Sequence, residues 1–255
     1  MYSLKTCLSA ALVGLLSCSF LVAQDTLRVA AAADLQPVLP ALVAQFEHAS
    51  SMKVAVSYAS SATLATQIIN GAPFDVFLAA DLSFPQKVIA AGLADESTPT
   101  TYARGTLVLW ARNDQLHGPL TMHLLGSPAV AHIAVADPVH APYGRAAIAA
   151  LHGLGLFDGL QSKLVYAENI AQAAQFAASG NAQCGLISLT QAETQTLRSA
   201  GMYIAVPADV YPAIEQGAIV LRHAPRHQQA RNFLQYVLSP DGQKLLKAGG
   251  LMHAN

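Results

Sequence analysis

Four places in the sequence combine a strand-like run, a short turn of small, polar or proline residues, and a helix-like run. The turns are Ala33-Asp34, Ser60-Ser61, Pro142-Tyr143-Gly144 and Asn169-Ile170. Each turn would present unpaired backbone N–H groups and the positive end of a helix dipole, which together suit an anion. Ser61 adds a hydroxyl, and Arg145 is the one cationic residue placed next to a turn. We therefore predict a site of mostly neutral donors, which can bind an ionised oxyanion and still release it.

The Ser60-Ser61 pair has a local interpretation as well as a functional one. Serine is a preferred residue at the N-cap of a helix, so the hydroxyls could serve only to satisfy the first backbone N–H groups. The three similar turns elsewhere in the chain favour the functional interpretation. We predict that Ser60 caps the helix and that Ser61 contacts a ligand.

Other chemistry-bearing residues form no recognisable catalytic or metal site. Residues 50–53 match the S-x-x-K pattern of serine acyl enzymes, but they lie in a predicted loop without supporting motifs. The nine histidines are scattered, and the pair at helical spacing, His223 and His227, straddles Pro225. Cys184 lies in an apolar run typical of a small buried side chain. The sequence therefore predicts a protein that is not an enzyme, with no catalytic residue and no direct metal ligand.

The elements that must position the four turns alternate between strand and helix. Predicted strands that precede helices are residues 26–32, 54–58, 73–80, 131–136, 163–166 and 184–188. This alternation is typical of a mainly parallel α/β sheet. Asp34 is predicted to cap a helix that begins at Leu35, and residues 189–200 are predicted to form one helix.

The chain divides into two such α/β units. Residues 102–111 are predicted as a single apolar strand, after which turn residues become frequent and a second series of strands and helices follows. Two of the four turns fall in each unit. Because ligands of open α/β sheets bind at the carboxyl ends of the strands, we predict a cleft between two lobes with all four turns facing it.

Composition argues against a nucleic-acid binder and indicates an exported protein. The chain of 255 residues is 53% hydrophobic and 11% charged, with a formal net charge of −1 and no basic stripe. Lys5 followed by the apolar residues 8–22 is typical of a targeting segment. Cleavage after Ala23 is our prediction, with lipidation at Cys18 and an uncleaved anchor as the alternatives. All three place the folded part outside the cytoplasmic membrane.

Five segments, in order along the chain, carry a resemblance to a known family. They are AAAADL (30–35), SYASSATLATQIINGAPFDVFLAAD (57–81), ADPVHAPYG (136–144), ENIAQ (168–172) and SPDGQKLL (239–246). Together they resemble the periplasmic molybdate-binding proteins of ABC importers. The resemblance implies a type II periplasmic binding protein, with two α/β lobes of mainly parallel sheet flanked by helices, two crossover strands and the ligand in the cleft. It also implies that molybdate or tungstate is held as an oxyanion by hydroxyls and backbone N–H groups, without a cofactor.

The resemblance assigns binding roles by position. Ser61 would offer its hydroxyl and N–H, and Tyr143 and Ile170 would offer their backbone N–H groups. Asp34 stands where many members have Ser, Thr or Asn, and an ionised carboxylate there would repel a dianion. We therefore expect Asp34 to turn its side chain back as an N-cap and to offer only its backbone N–H. Ser188 stands where some relatives have a tyrosine that contacts the anion. Further candidate contacts are Ala33, Ser60, Asn169 and Ser188.

The same resemblance gives the expected domains, partners and location. Residues 1–23 would be the signal peptide, residues 24–104 with 214–255 the first lobe, and residues 105–213 the second lobe. The protein is expected to be a periplasmic monomer that presents its anion to the membrane permease of an ABC importer. Two alternatives stay open: the same fold binding another small oxyanion or organic solute, and an α/β hydrolytic enzyme.

Overall fold

The computed structural model describes residues 26–115 and 118–254. The predicted targeting segment, with Cys18 and the cleavage site after Ala23, lies outside the described residues. Within these two stretches, no helix combines the length and the apolar character that are needed to cross a membrane.

The strands form two mixed sheets of five. They are β1 (Thr26–Ala32), β2 (Lys53–Ala59), β3 (Val76–Ala79), β4 (Thr100–Gly105), β5 (Leu107–Arg112), β6 (Ile133–Ala136), β7 (Leu164–Ala167), β8 (Cys184–Ser188), β9 (Gly201–Ala205) and β10 (Ile214–Val220). The first sheet has the order β2-β1-β3-β10-β4 and the second β7-β6-β8-β5-β9. Strands β10 and β5 run antiparallel to both of their neighbours, whereas the remaining pairs are parallel. Each lobe is built on one sheet, which confirms the predicted two-lobed fold.

The described residues include ten α-helices and four short 3-10 turns. The helices are α1 (Leu39–Ser50), α2 (Ser61–Ile69), α3 (Ser83–Ala90), α4 (Pro142–Gly153), α5 (Phe157–Leu160), α6 (Ile170–Ser179), α7 (Leu189–Ala192), α8 (Gln195–Ala200), α9 (His227–Leu238) and α10 (Pro240–Ala248). The 3-10 turns are Ala33–Leu35, Asn113–Gln115, Met122–Gly126 and Gln161–Lys163.

Helices cover the first sheet on both faces, which explains its continuous apolar strands. Leu27 and Val29 of β1 pack in one cluster with Phe233 of α9, whereas Ala30 packs in a second cluster with Leu64 of α2. Successive side chains of a strand point to opposite faces, so a sheet buried on both faces needs apolar residues at nearly every position. The carboxyl ends of its parallel strands are left to face the second lobe.

The predicted strand over residues 102–111 is wrong as a single element. It divides at Thr106 into β4, which pairs with β10 in the first sheet, and β5, which pairs with β8 and β9 in the second. The Thr106 carbonyl accepts a hydrogen bond from Leu189 N at 2.9 Å, which extends the pairing of β5 with β8 by one residue. The first crossing between the lobes is therefore one residue long, and residues 206–213 form the return crossing.

Two predicted helices also differ from the structure. The helix expected from Leu35 begins at Leu39, and Asp34 lies in a 3-10 turn before it. Pro37 has no N–H to complete an α-helical bond to the Ala33 carbonyl, and Gln36 N bonds that carbonyl at 3.3 Å. The helix expected over residues 189–200 divides into α7 and α8, because Thr194 adopts an extended backbone and caps α8 through Leu197 N.

Candidate functional site

Three helices begin at the edge of the cleft, each directly after a parallel strand. Ser60 follows β2 and caps α2, since its hydroxyl accepts from Thr63 N at 3.2 Å. Asn169 follows β7 and caps α6, since its Oδ1 accepts from Ala171 N and Gln172 N at 3.1 and 3.0 Å. Pro142 occupies the first turn of α4, where its missing N–H costs nothing. These caps leave the N–H groups of Ser61, Tyr143 and Ile170, which have no intrahelical acceptor and can donate to a ligand.

These helix starts and the Asp34 turn enclose one small cavity of about 10 Å³. Its wall is formed by Ala32, Ala33, Asp34, Ser60, Ser61, Ala80, Ala141, Pro142, Tyr143, Asn169 and Ile170. The volume is close to the least space that holds one water molecule, so a tetrahedral oxyanion enters only if the walls move apart. The four predicted ligand residues, Asp34, Ser61, Tyr143 and Ile170, are thus brought together, and all four are buried.

The additional candidates divide into two groups. Ala33, Ser60 and Asn169 lie in the cavity wall with the principal residues. Ser188 lies apart from that wall as the described residues define it, and instead its hydroxyl caps α7 through Gln191 N at 3.3 Å. The same hydroxyl is 2.9 Å from Thr190 Oγ1. Ser188 therefore shapes α7, the helix that contacts the Asp34 turn.

The Ser61 hydroxyl is arranged to donate into the cavity. Its Oγ accepts a hydrogen bond from Ala80 N at 3.0 Å. A hydroxyl carries one donor hydrogen besides its two acceptor lone pairs, so this bond fixes the oxygen and leaves the hydrogen for an acceptor. Ser61 is also the first residue of α2, where the backbone N–H points the same way as the helix dipole.

The Asp34 side chain does not cap a helix, so that prediction is wrong. The N-cap position of its 3-10 turn is Ala32, and no side chain caps that turn. The carboxylate instead points into the interior, where Oδ2 accepts from the Tyr143 hydroxyl at 3.2 Å and from Gln216 Nε2. Asp34 Oδ1 has no hydrogen-bond partner among the described residues. A carboxyl group with one oxygen bonded and one free thus lies in the cavity wall.

Burial sets the charge state of this carboxyl group. Asp34 is fully buried, and desolvation raises its pKa to about 6, although donation from Gln216 and Tyr143 partly offsets this by stabilising the ionised form. Burial also raises the pKa values of Tyr102 and Tyr143 well above the usual range, and the Asp34 charge adds to the effect. The two phenols therefore act as neutral donors at any physiological pH.

A buried polar network around Asp34 was missed by the sequence-based prediction. Tyr102 donates to Gln216 Oε1 at 2.7 Å, which orients the Gln216 amide so that its Nε2 faces Asp34. From α7, the Thr190 hydroxyl donates to the Asp34 carbonyl at 2.7 Å, and Gln191 Nε2 donates to the Ala33 carbonyl at 3.1 Å. The one signal that could have indicated the network is a buried polar residue, Gln216, inside the apolar run of β10.

Contacts at the rim join the two lobes around the cavity. Arg145 of α4 forms an ion pair with Asp81, which follows β3, and its guanidinium lies 5.2 Å from the centroid of the Phe84 ring. Ala62 N of α2 donates to the His140 carbonyl at 3.2 Å. Tyr143 also approaches the crossing segment so closely that a side chain at Gly105 would overlap its hydroxyl. The structure is therefore that of a closed cleft.

The arrangement fits binding of an anion better than metal or acid–base chemistry. Among the described residues, no group of three or more His, Cys, Asp or Glu side chains is placed to hold a metal ion. Asp81 accepts from Phe84 N at the start of α3 and pairs with Arg145, and Asp75 accepts from Arg28 N of β1 at 2.7 Å, so both carboxylates hold structural partners. Cys184 is buried in the second lobe, which raises its pKa to about 12.

Comparisons with known proteins cover nearly the whole folded chain. Residues 27–252 match the family described as bacterial extracellular solute-binding protein. The chain is 36% identical over 249 residues to the molybdate-binding protein ModA of Azotobacter vinelandii, covering 98% of each. It is 36% identical over 211 residues to the molybdate-binding protein ModA of Rhodobacter capsulatus, covering 81% of this chain and 80% of the relative. The solved periplasmic molybdate-binding protein of Azotobacter vinelandii aligns with a TM-score of 0.83 and 32% identity, over 90% of this chain and 100% of that one.

Proposed function

The chain belongs to the family of bacterial extracellular solute-binding proteins, and from this premise we propose that it captures molybdate for an ABC importer. The observation that carries the proposal is the convergence of three helix N-termini and the Ser61 hydroxyl on one small cavity between the lobes. Such donors bind an ionised oxyanion without a counter-charge. Tungstate has nearly the size and charge of molybdate, so it belongs to the same proposal.

The ligand contacts of the proposal are those that the family resemblance assigns, and their presence in one cavity wall supports them. Ser61 donates from its hydroxyl and backbone N–H, and Tyr143 and Ile170 donate from the backbone. Asp34 faces the anion from the fourth side, with Ala33, Ser60 and Asn169 shaping the remaining wall. Because no step in this scheme makes or breaks a covalent bond, the proposed role is binding and release rather than catalysis.

Capture requires the lobes to open and close. The proposed first lobe comprises residues 24–104 with 214–255, and the second comprises residues 105–213. We propose that the hinge of this motion lies at Gly105 and at residues 215–218, where the chain leaves and re-enters the first sheet. The closed form, as a monomer, would present the anion to a membrane permease. We further place the protein outside the cytoplasmic membrane, after cleavage behind Ala23 or with a lipid anchor at Cys18.

Titration calorimetry on the chain from Gln24 onward, with molybdate, tungstate, sulfate and phosphate, tests the ligand. We expect one molybdate or tungstate per chain and much weaker binding of sulfate. Absence of both heat and thermal stabilisation with molybdate and tungstate would contradict the proposal. Tighter binding of phosphate than of molybdate would support the alternative ligand class, an oxyanion that carries its own proton.

Replacement of Ser61 tests the site itself. In Ser61→Ala the anion loses a hydroxyl donor, and hydrogen bonds to charged groups contribute about 1.5–3 kcal/mol, so we expect roughly ten- to hundredfold weaker molybdate binding. Ser57→Ala is the matched control, because Ser57 lies on the exposed face of β2 in the same segment. Equal weakening in both variants would show that Ser61 makes no specific contact.

A further inference from the structure

We propose that Asp34 binds the oxyanion as a neutral carboxylic acid, which donates a hydrogen bond from Oδ1, so that each anion is captured together with one proton. This inference rests on the proposed function and names a specificity-determining residue within it. It concerns the position where this chain has a carboxyl group in place of the hydroxyl or amide that the family resemblance leads us to expect.

The hydrogen bonds of the carboxyl group point to Oδ1 as the protonated oxygen. Oδ2 already accepts from two donors, the Tyr143 hydroxyl and Gln216 Nε2, and both donors reach it from within the protein. Oδ1 is buried without a hydrogen-bond partner among the described residues, and Asp34 belongs to the cavity wall. An ionised Oδ1 could only accept, and an oxyanion has no hydrogen to give it. A proton on Oδ1 turns this unpaired acceptor into a donor for the anion.

The groups around Asp34 offer no positive charge that would keep it ionised beside an anion. From α4 and β4 it is faced by Tyr143 and Tyr102, both neutral, and from β10 by the Gln216 amide. From α7, Thr190 and Gln191 bond the backbone carbonyls of the turn. Among the described residues, no lysine or arginine contributes to the charge balance of the Asp34 carboxyl group.

The closed cavity already moves Asp34 towards the protonated form. Burial raises the pKa of Asp34 to about 6, and a dianion in contact with it would raise the pKa further, since like charges disfavour ionisation. In neutral solution, binding therefore takes up one proton: the Asp34 carboxylate, one proton from the solvent and one dianion give a neutral Asp34 carboxylic acid with the dianion bound to it. Above the pKa of the unliganded protein, affinity falls tenfold for each unit of pH because the protonated fraction falls tenfold.

Proton uptake is measured by titrating molybdate into the protein at pH 8 in two buffers that differ in ionisation enthalpy. We expect the wild type to take up one proton per anion. Asp34→Asn should take up none, because its amide N–H donates a hydrogen bond without being protonated first. From pH 7 to pH 8.5 the wild type should lose affinity tenfold per pH unit, whereas Asp34→Asn should be nearly independent of pH. The matched control is Asp158→Asn, at an exposed aspartate of α5, which should behave as the wild type.

Each outcome separates this inference from the proposed function. Molybdate binding by the wild type without proton uptake would overturn the inference and leave the function standing. Tighter binding of hydrogenphosphate than of molybdate at pH 8, without proton exchange, would show an ionised Asp34 that accepts the ligand's own proton. Failure of both the wild type and Asp34→Asn to bind molybdate or tungstate at any pH would overturn the function and the inference with it.

A spectroscopic measurement on the wild type alone covers the case in which Asp34→Asn does not fold. Infrared difference spectra at pH 8, with and without molybdate, should show the C=O stretching band of a protonated carboxylic acid appearing on binding. Its absence, with saturating molybdate bound, would overturn the inference.

Discussion

The Ser61 and Asp34 sides of the cavity present polar groups to the same small space in opposite ways. Ser61 begins a nine-residue helix, and its oxygen is fixed by one backbone bond to Ala80 N. Asp34 lies in a three-residue 3-10 turn, and its carboxyl group is held by side chains from α4 and β10. The Ser61 hydroxyl can donate a hydrogen bond because of its local structure alone. The Asp34 carboxyl group depends on partners distant in the chain and on its state of protonation.

The buried carboxyl group of Asp34 thus comes with specific support that the Ser61 side does not have among the described residues. At Asp34 two neutral donors bond Oδ2, and α7 bonds the backbone carbonyls of the turn. At Ser61 comparable support is lacking among the described residues, since the side chain is held there by a hydrogen bond from one backbone N–H, that of Ala80.

A carboxylate moved to the Ser61 side should be strongly destabilising. Ser61 is buried, and an uncompensated buried charge costs about 3–5 kcal/mol, so Ser61→Asp should lose about that much free energy of unfolding at pH 8. It should also bind molybdate more than a hundredfold more weakly. Urea denaturation and calorimetry measure the two effects. Ser57→Asp, on the exposed face of β2, should change stability by less than about 0.5 kcal/mol. Wild-type stability in Ser61→Asp would show that the cavity tolerates carboxylates generally.

Removal of the Asp34 charge should change how stability depends on pH. The folded-state pKa of Asp34, about 6, lies above its ordinary value of 3.8, which applies to the unfolded chain. Protonated Asp34 therefore contributes its full share to the free energy of unfolding of the wild type below pH 3.8, and this share is lost as the pH rises to about 6. The lost free energy is about 3 kcal/mol, from about 1.4 kcal/mol per pKa unit. Relative to the wild type, Asp34→Asn should gain that amount between pH 3.5 and pH 7 in urea denaturation. A constant difference across this range would contradict the raised pKa.

The Tyr143 hydroxyl should set the pH range in which the anion binds. Tyr143→Phe removes a donor that stabilises ionised Asp34, so the pKa of Asp34 should rise further. The pH above which molybdate affinity declines should then move upward by up to about one unit, equivalent to about 1 kcal/mol. Calorimetry from pH 6 to pH 9 measures the shift. Tyr166→Phe, at a half-exposed tyrosine of β7, should leave the profile unchanged; an equal shift in both variants would exclude a specific role for Tyr143.

Ser60 should affect stability and hardly affect binding. Its hydroxyl caps α2 through Thr63 N, and loss of such a cap costs about 1 kcal/mol. We expect Ser60→Ala to lose that much free energy of unfolding and to bind molybdate within about threefold of the wild type. Ser239→Ala removes a similar cap from α10 and should cost about as much. A tenfold loss of affinity in Ser60→Ala alone would assign Ser60 to the ligand rather than to the helix.

The parts of the site that depend on neighbouring residues could be predicted from the sequence. The serine at the start of α2, the asparagine before α6 and the proline in the first turn of α4 are local signals of helix starts. Placing these starts at the carboxyl ends of parallel strands then predicts a shared cavity. For that reason the sequence-based prediction put Ser61, Tyr143 and Ile170 in one cavity, although they lie far apart in the chain.

The parts that depend on distant residues could not be predicted. The orientation of Asp34 is decided by Tyr143, 109 residues away, and by Gln216, 182 residues away. The division at Thr106 was equally hidden, because residues on both sides of it are apolar and only their pairing partners differ. In both cases a correct local preference, for a cap or for a strand, was overridden by tertiary contacts.

The ion pair between Arg145 and Asp81 gives the closed cleft a dependence on ionic strength. Arg145 keeps 41% of its side chain exposed, so dissolved ions reach the pair, whereas the buried bonds around Asp34 are shielded from them. Salt therefore weakens the rim first. Release of a captured anion should accelerate as salinity rises, while the equilibrium proton count stays the same. The rim contact should therefore make the residence time of the ligand depend on ionic strength, whereas the buried bonds between the lobes should add a part that salt does not change.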